Sequence, residues 1–477
     1  MSTGFYHGNE TKEQDTNEII ITGADMSIVG IIGTAPVFML DEADRNINKA
    51  VCINNYAEKS KYVGENISGF TLPDAVETVL TESEGAKIYI VNVFDPAKHK
   101  ADLTTTKTFK NGEIRLDEKG IFNLVISKND AALALDVDYS FNNNTISIVD
   151  GGALADKDSV SISYSYADLT KVTAGDIIGA VDKYGAKSGM KALEDVESIY
   201  GDQIGILICP SYDGLVPVSS ALESLAAELD AFTYTDAQYG TTQEQAIQGR
   251  GSKGEINFNT VCKDCMLIVP YVGRYNSYQD VDELKPLSPV YAGLRVLVDR
   301  EEGIQASISN HPLKTVTRLE YPIDFRMGKT NTAANNLNSK GISCVINFRG
   351  YRSFGTRSAN FPSESGIETF ECCRRVDKYI QKSILNATFT IVDKSITSGL
   401  INCVCDSINA FLDTLKDPLR QTIIDGRCWY DPSLNKTSEL ANGWVKFCYE
   451  FVAPPPAERI TFYRTININL LNKIGAV

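Results

Sequence analysis

Long apolar runs recur along the chain at intervals, and few of them alternate with polar residues. "SIVGIIGTAP" (27–36), "AKIYIVNVFDP" (86–96), "IGILICP" (204–210) and "CMLIVPYVG" (265–273) are each short and closed by Gly or Pro. Such runs predict strands buried on both faces. Between them the apolar period lengthens to that of a helix. "FTLPDAVETVL" (70–80) places Pro73 near a helix start and Ala75, Val76, Val79 and Leu80 on one face. "VSSALESLAAELDAF" (218–232) is amphipathic, and "LSPVYAGLRVLVDREEG" (287–303) offers Ser288 as N-cap and Pro289 as first helical residue. "LNSKGISCVINFRGYRSFGTRS" (337–358) reads as strand, turn at Gly350 and second strand. Strands and helices in this order predict an α/β core built on a mixed sheet.

Two stretches break that texture. From 100 to 169, "TFKNGEIRL", "IFNLVISK", "NNNTISIV" and "DSVSISYSY" are short alternating runs divided by Asn- and Gly-rich turns. They predict an inserted all-β domain on the surface. From 359 to 453 a second unit follows. Its helix at 372–384 carries Cys373, Val376 and Ile380 on the inner face and a basic stripe, Arg374, Lys378 and Lys382, on the other side. A helix at 399–417 buries Ile401, Val404, Ile408, Phe411 and Leu415. The expected organisation is an N-terminal arm (1–23), a core in two parts (24–99 and 170–358), the insertion, the C-terminal unit and a C-terminal arm (454–477).

That last arm is the most telling pattern. After Pro454, Pro455 and Pro456, the residues Ile460, Phe462, Ile466, Ile468 and Leu470 fall on one face of a strand, with Thr461, Tyr463, Thr465, Asn467 and Asn469 on the other. Only Arg464 interrupts the apolar side. An unpaired strand of this kind invites association. It either folds back on its own sheet or completes a neighbour's by strand addition, and the stiff proline spacer favours reach.

Composition narrows the function. At 477 residues the chain is long enough for about three domains. A net charge of −15 without a basic run excludes nucleic acid as a direct partner. The polar opening predicts no signal peptide and folding in a cytoplasm, and no run approaches the ~18 apolar residues of a membrane helix. The 11 cysteines are scattered in apolar patterns, as buried reduced thiols are. "GIIGTAP" lacks the Lys and hydroxyl of a phosphate loop, so it reads as a tight turn. "CKDC" (262–265) has clip spacing but no second ligand pair, and His7, His99 and His311 stand far apart. No catalytic residue, metal or cofactor is expected.

Several segments, in order, resemble contractile-tail sheath proteins of bacteriophages and related bacterial injection machines. They are "FYHGNETKEQD" (5–15), "SIVGIIGTAP", "TLPDAVETVL", "SVSISYSYAD", "SPVYAGLRVLVDREEGIQASISN", the G-x-R-x-x-G-x-R stretch within 337–358, "CCRRVDKYIQKSI" and "APPPAERITF". The resemblance implies a structural, non-enzymatic subunit. Copies of it would stack as hexameric rings around an inner tail tube, meet baseplate and tail terminator proteins, and contract to deliver a genome. Such a protein belongs to the virion tail and is assembled in the host bacterial cytoplasm. The same resemblance admits the sheath of a bacterial injection system or R-type bacteriocin. A non-contractile strand-swapped assembly protein and an α/β enzyme are the competing classes. On the sheath reading, Ile460, Phe462, Ile466, Ile468 and Leu470, together with Ile19, Ile20 and Ile21 of "NEIIITG", are the strands given to neighbours. Arg374, Arg375, Lys378 and Lys382 are the expected tube-facing residues.

Overall fold

A computed structural model describes residues 19–142, 144–251 and 254–474. Its centre is an eight-stranded mixed sheet. From one edge to the other the strands are Tyr351–Phe354, Ile342–Asn347, Cys265–Val269, Phe232–Asp236, Ile206–Ile208, Val29–Gly33, Ile88–Asn92 and Ala50–Ile53. The inner six are parallel and both edge strands antiparallel. The apolar runs follow from this. Along Cys265–Val269, Met266 and Ile268 join one hydrophobic cluster while Cys265, Leu267 and Val269 join another, so neither face of the strand meets water.

Helices Leu72–Ser83, Val216–Glu228 and Ser288–Glu301 pack on the sheet, and Ala75, Val76, Val79 and Leu80 are buried as their spacing predicts. Gly293 explains how the first and third helices approach so closely: a Cβ there would lie 2.7 Å from the Cβ of Glu82 and 3.0 Å from the carbonyl of Val79. The cap of the third helix differs from expectation. Leu287, not Ser288, is the N-cap, and the buried carboxylate of Asp236 accepts the amides of Leu287 at 2.6 Å and Ser288 at 3.1 Å. A remote acid at the end of a strand does the work that local sequence assigned to a serine.

Residues 100–167 form two antiparallel sheets, one of Lys100–Thr108, Ser159–Ala167, Ile121–Lys128 and Ala131–Ala132, the other of Glu113–Arg115, Thr145–Ile148 and Tyr139–Asn142. Their inward residues, among them Phe109, Ile126, Ile146 and Ile162, make a cluster of their own. A further three-stranded sheet, Val272–Asn276 with Val281–Lys285 and Arg318–Leu319, lies beside the core and was not expected from the sequence.

The C-terminal unit contains the helices Glu371–Thr388 and Ser398–Thr414 and a hairpin of Asp425–Tyr430 with Phe447–Val452. Val376, Ile380, Val404, Ile408 and Phe411 hold it together.

Candidate assembly surfaces

The basic stripe is not an open face in this subunit. The Glu371–Thr388 helix runs across the starts of three neighbouring core strands. Arg374 donates to Asp264 at 2.9 and 3.1 Å. The Lys378 amine lies 3.1 Å from Asp264 and 3.6 Å from Asp230. Lys382 donates to the Ile204 carbonyl at 2.8 Å. Asp264, Asp230 and Ile204 precede the strands Cys265–Val269, Phe232–Asp236 and Ile206–Ile208, which are adjacent in that order. Four helical residues rise about 6 Å and neighbouring strands lie about 4.8 Å apart, so a stripe at i, i+4, i+8 addresses one strand after another. Lys378 and Lys382 are buried, and Arg374 retains 17% side-chain exposure.

Arg375 lies deeper, in an ionic cluster with Arg295, Asp299 and Glu371. Arg295 is 2.7 Å from Asp299 and 3.3 Å from Glu371, and Arg375 pairs with the other oxygen of Asp299 and donates to the Met26 carbonyl at 3.1 Å. Tyr234 donates to Glu371 at 2.9 Å. All four expected tube-facing residues thus join the C-terminal helix to the core of their own chain. The pattern read as an open, tube-facing stripe because periodicity reports which residues share a face, not what covers it. Lys382 shows the effect of that cover: burial pushes its amine down to about 8, with Asp230 opposing.

The N-terminal residues divide. Ile19 and Ile21 pack against the hydrophobic cluster of their own C-terminal unit, and the Ile19 amide donates to Ser407 at 2.9 Å. Ile20 is 84% exposed. Gly23 passes directly over Tyr379, where a Cβ would fall 2.1 Å from the ring hydroxyl. The "FYHGNETKEQD" segment lies outside the described residues.

The C-terminal arm behaves otherwise. Ile460, Phe462, Ile466, Ile468 and Leu470 are all exposed, Phe462 to 88% and Ile466 to 98%. The expected strand is absent from the described subunit: residues 459–467 carry no regular structure, and Ile468–Lys473 closes in a short 3-10 helix. A strand needs a partner backbone, and here none lies alongside.

One hairpin offers such a backbone. Among the described strands, Asp425–Tyr430 and Phe447–Val452 pair only with each other. Along the first, Asn409 stands in for a neighbouring strand, donating to the Cys428 carbonyl at 2.9 Å and accepting its amide at 2.6 Å. The outer side of Phe447–Val452 faces a cavity of about 490 Å³ bounded by Ile367, Glu368, Cys373 and Asp377.

The "CKDC" cysteines do not form a reactive pair. Burial pushes the Cys262 thiol up to about 12 and raises that of Cys265 well above the ordinary thiol value, and the Cys265 sulfur lies 3.3 Å from the Thr235 hydroxyl. Both stay protonated at neutral pH.

Comparison with known proteins agrees with this architecture. A family model described as the phage tail sheath protein central domain matches residues 185–358. The tail sheath protein of Burkholderia phage BcepMu is 34% identical over 487 residues, covering 99% of this chain and 98% of that one. The tail sheath protein of Escherichia phage P2 is 28% identical over 294 residues, 62% of this chain and 71% of its own. Among solved structures, the PVC sheath complex of an extracellular contractile injection system, in its contracted state, shares the fold with a TM-score of 0.60 at 12% identity, over 98% of this chain and 99% of that chain. The contracted helical sheath of the anti-feeding prophage does so with a TM-score of 0.58 at 15% identity, over 96% and 99%. With a likeness that runs the length of both chains, as in the first of these relatives, the chain belongs to the phage tail sheath protein family, whose members are structural proteins and not enzymes.

Proposed function

We propose that this chain is the repeating subunit of a contractile phage tail sleeve, stacked as hexameric rings around an inner tube and shortening to drive that tube through a cell envelope. The 460–470 segment carries the reading. Five apolar side chains in strand register stand in water beyond a proline strut, an arrangement that is unfavourable unless another molecule covers it. Strand addition to a neighbour's Phe447–Val452 edge would cover them and supply backbone partners. Linkage of this kind lets subunits rotate while staying joined, and each copy both gives and receives an arm, so the polymer does not close on itself. The phage setting, rather than a bacterial injection machine, is favoured by the full-length identity to a phage sheath. The tube contact belongs on the C-terminal unit, at surfaces other than the buried stripe.

Truncation after Arg459 tests the reading. The shortened subunit should remain soluble and unfold at the wild-type denaturant midpoint, while electron microscopy finds no long sleeves. Sleeves of normal length from that variant would exclude arm linkage.

A further inference from the structure

We infer that Arg357 and Glu458 form the seat of the C-terminal arm, and that the arm pivots between Glu458 and Ile460 rather than within its prolines. The inference deepens the assembly reading and rests on it only for what lies beyond the pivot.

Arg357 closes the G-x-R-x-x-G-x-R run, and Glu458 lies in "PPPAER", 101 residues later. The fold brings them together. Gly355 makes the approach possible: its φ is +146°, and a Cβ would sit 2.7 Å from the Cα of Ser343. The chain can therefore leave the strand Tyr351–Phe354 and turn Arg357 outward. The guanidinium lies over two aromatic rings, its Cζ 3.6 Å from the centroid of Phe370 and 4.7 Å from that of Phe361. A further nitrogen donates to Thr369. What remains is a two-pronged donor. Its Nε and Nη2 reach Glu458 Oε1 at 3.2 Å and Oε2 at 2.6 Å, and the Thr356 hydroxyl donates to Oε1 at 2.9 Å. Such fork-to-carboxylate geometry fixes direction as well as distance.

The other end of the segment is also held. Ala453 is buried in the C-terminal cluster. Between these two anchors three prolines fix φ, so residues 453–458 form a stiff, extended strut. Every residue from Ala457 through Ile474 is exposed, and Glu458 is the last of them paired to the core, so freedom begins at Arg459. The strut starts on the C-terminal hairpin and ends on the core, beside the exit of an edge strand of the main sheet. Rotation of the core therefore carries the root of the arm with it, and a pull along the arm is delivered to the sheet.

Trypsin digestion of the isolated subunit reads the pivot directly, because Arg459 lies at it and Arg464 beyond it. Rates are normalised to synthetic 453–470 peptides carrying Glu or Gln at position 458. In the wild type the cut after Arg464 should exceed that after Arg459 by at least about tenfold. Glu458→Gln should speed the Arg459 cut at least about fivefold and leave Arg464 unchanged. Equal normalised rates in the wild type, or no change in Glu458→Gln, would overturn the seat. The measurement needs no polymer, so a failure of arm linkage in the truncation experiment leaves it intact, and its own failure leaves arm linkage standing.

Discussion

Two segments of this chain, the basic stripe of the Glu371–Thr388 helix and the apolar ladder at 460–470, both read as surfaces awaiting a partner, and they end in opposite places. The charged stripe is buried on its own core, each cation against an acid or carbonyl at the foot of a strand. The apolar ladder stands in water. The usual rule, charge outside and hydrophobe inside, fails twice in one chain. The physical reason differs for each. The feet of parallel strands expose acids and carbonyls that an apolar helix would leave unsatisfied, so a basic helix is the favourable cover. The arm pairs with no strand of its own chain among the described residues, and on the proposed strand addition a second copy covers it.

Substitutions sharpen the contrast. The largest effect belongs to Arg375→Ala, which leaves Asp299 and Glu371 short of a counter-charge in a buried cluster; a loss of about 3–5 kcal/mol of stability is expected from urea unfolding. Lys378→Met should cost less, about 1–3 kcal/mol, because Asp264 keeps Arg374 and only Asp230 is left exposed to the loss. If either residue served chiefly as a tube contact, unfolding midpoints would not move.

Lys382 adds a pH signature. Its folded pKa of about 8 lies below the ordinary lysine value of about 10.4, so the unfolded chain holds more protons between these values. Stability contributed through this group therefore rises as pH climbs from 8 towards 10.4, by no more than about 3 kcal/mol. Urea midpoints of wild type and Lys382→Met, compared across that window, should differ by this rise, which the variant lacks. The smallest effect on the subunit is expected at the other pole of the comparison. Ile466→Asp should change monomer stability by less than about 0.5 kcal/mol, as surface substitutions do, yet sharply reduce sleeve length in micrographs. A large stability loss there would mean that the arm is tucked into its own fold in solution.

Much of the architecture was readable from period alone. The buried strands at 29–33, 88–92, 206–208 and 265–269, the helices packed on them, and the separate β texture of 100–167 all follow from where apolar residues fall. Family membership was legible too, because ordered segments such as "SPVYAGLRVLVDREEG" survive as a set. The strand Ala50–Ile53 was not, being four apolar residues set among polar ones, nor was the sheet built on Val272–Asn276, whose partner Val281–Lys285 is polar and part-exposed enough to pass for a loop. Nor was the cap on the Ser288–Glu301 helix, which comes from Asp236 across more than fifty residues. The pairing of Arg357 with Glu458 was equally hidden. Each lies in a recognisable run, but nothing local links them.

Local pattern, then, settled which residues share a face and which segments want a partner, because side-chain period is a property of a few consecutive bonds. Whose surface each face meets was settled by the fold. Contacts between positions a hundred or more residues apart depend on strand order and on which ends of the sheet lie together. That is why the helix stripe proved to be an internal joint, while the arm, rooted at Glu458 and with no partner strand alongside it, remained open to solvent.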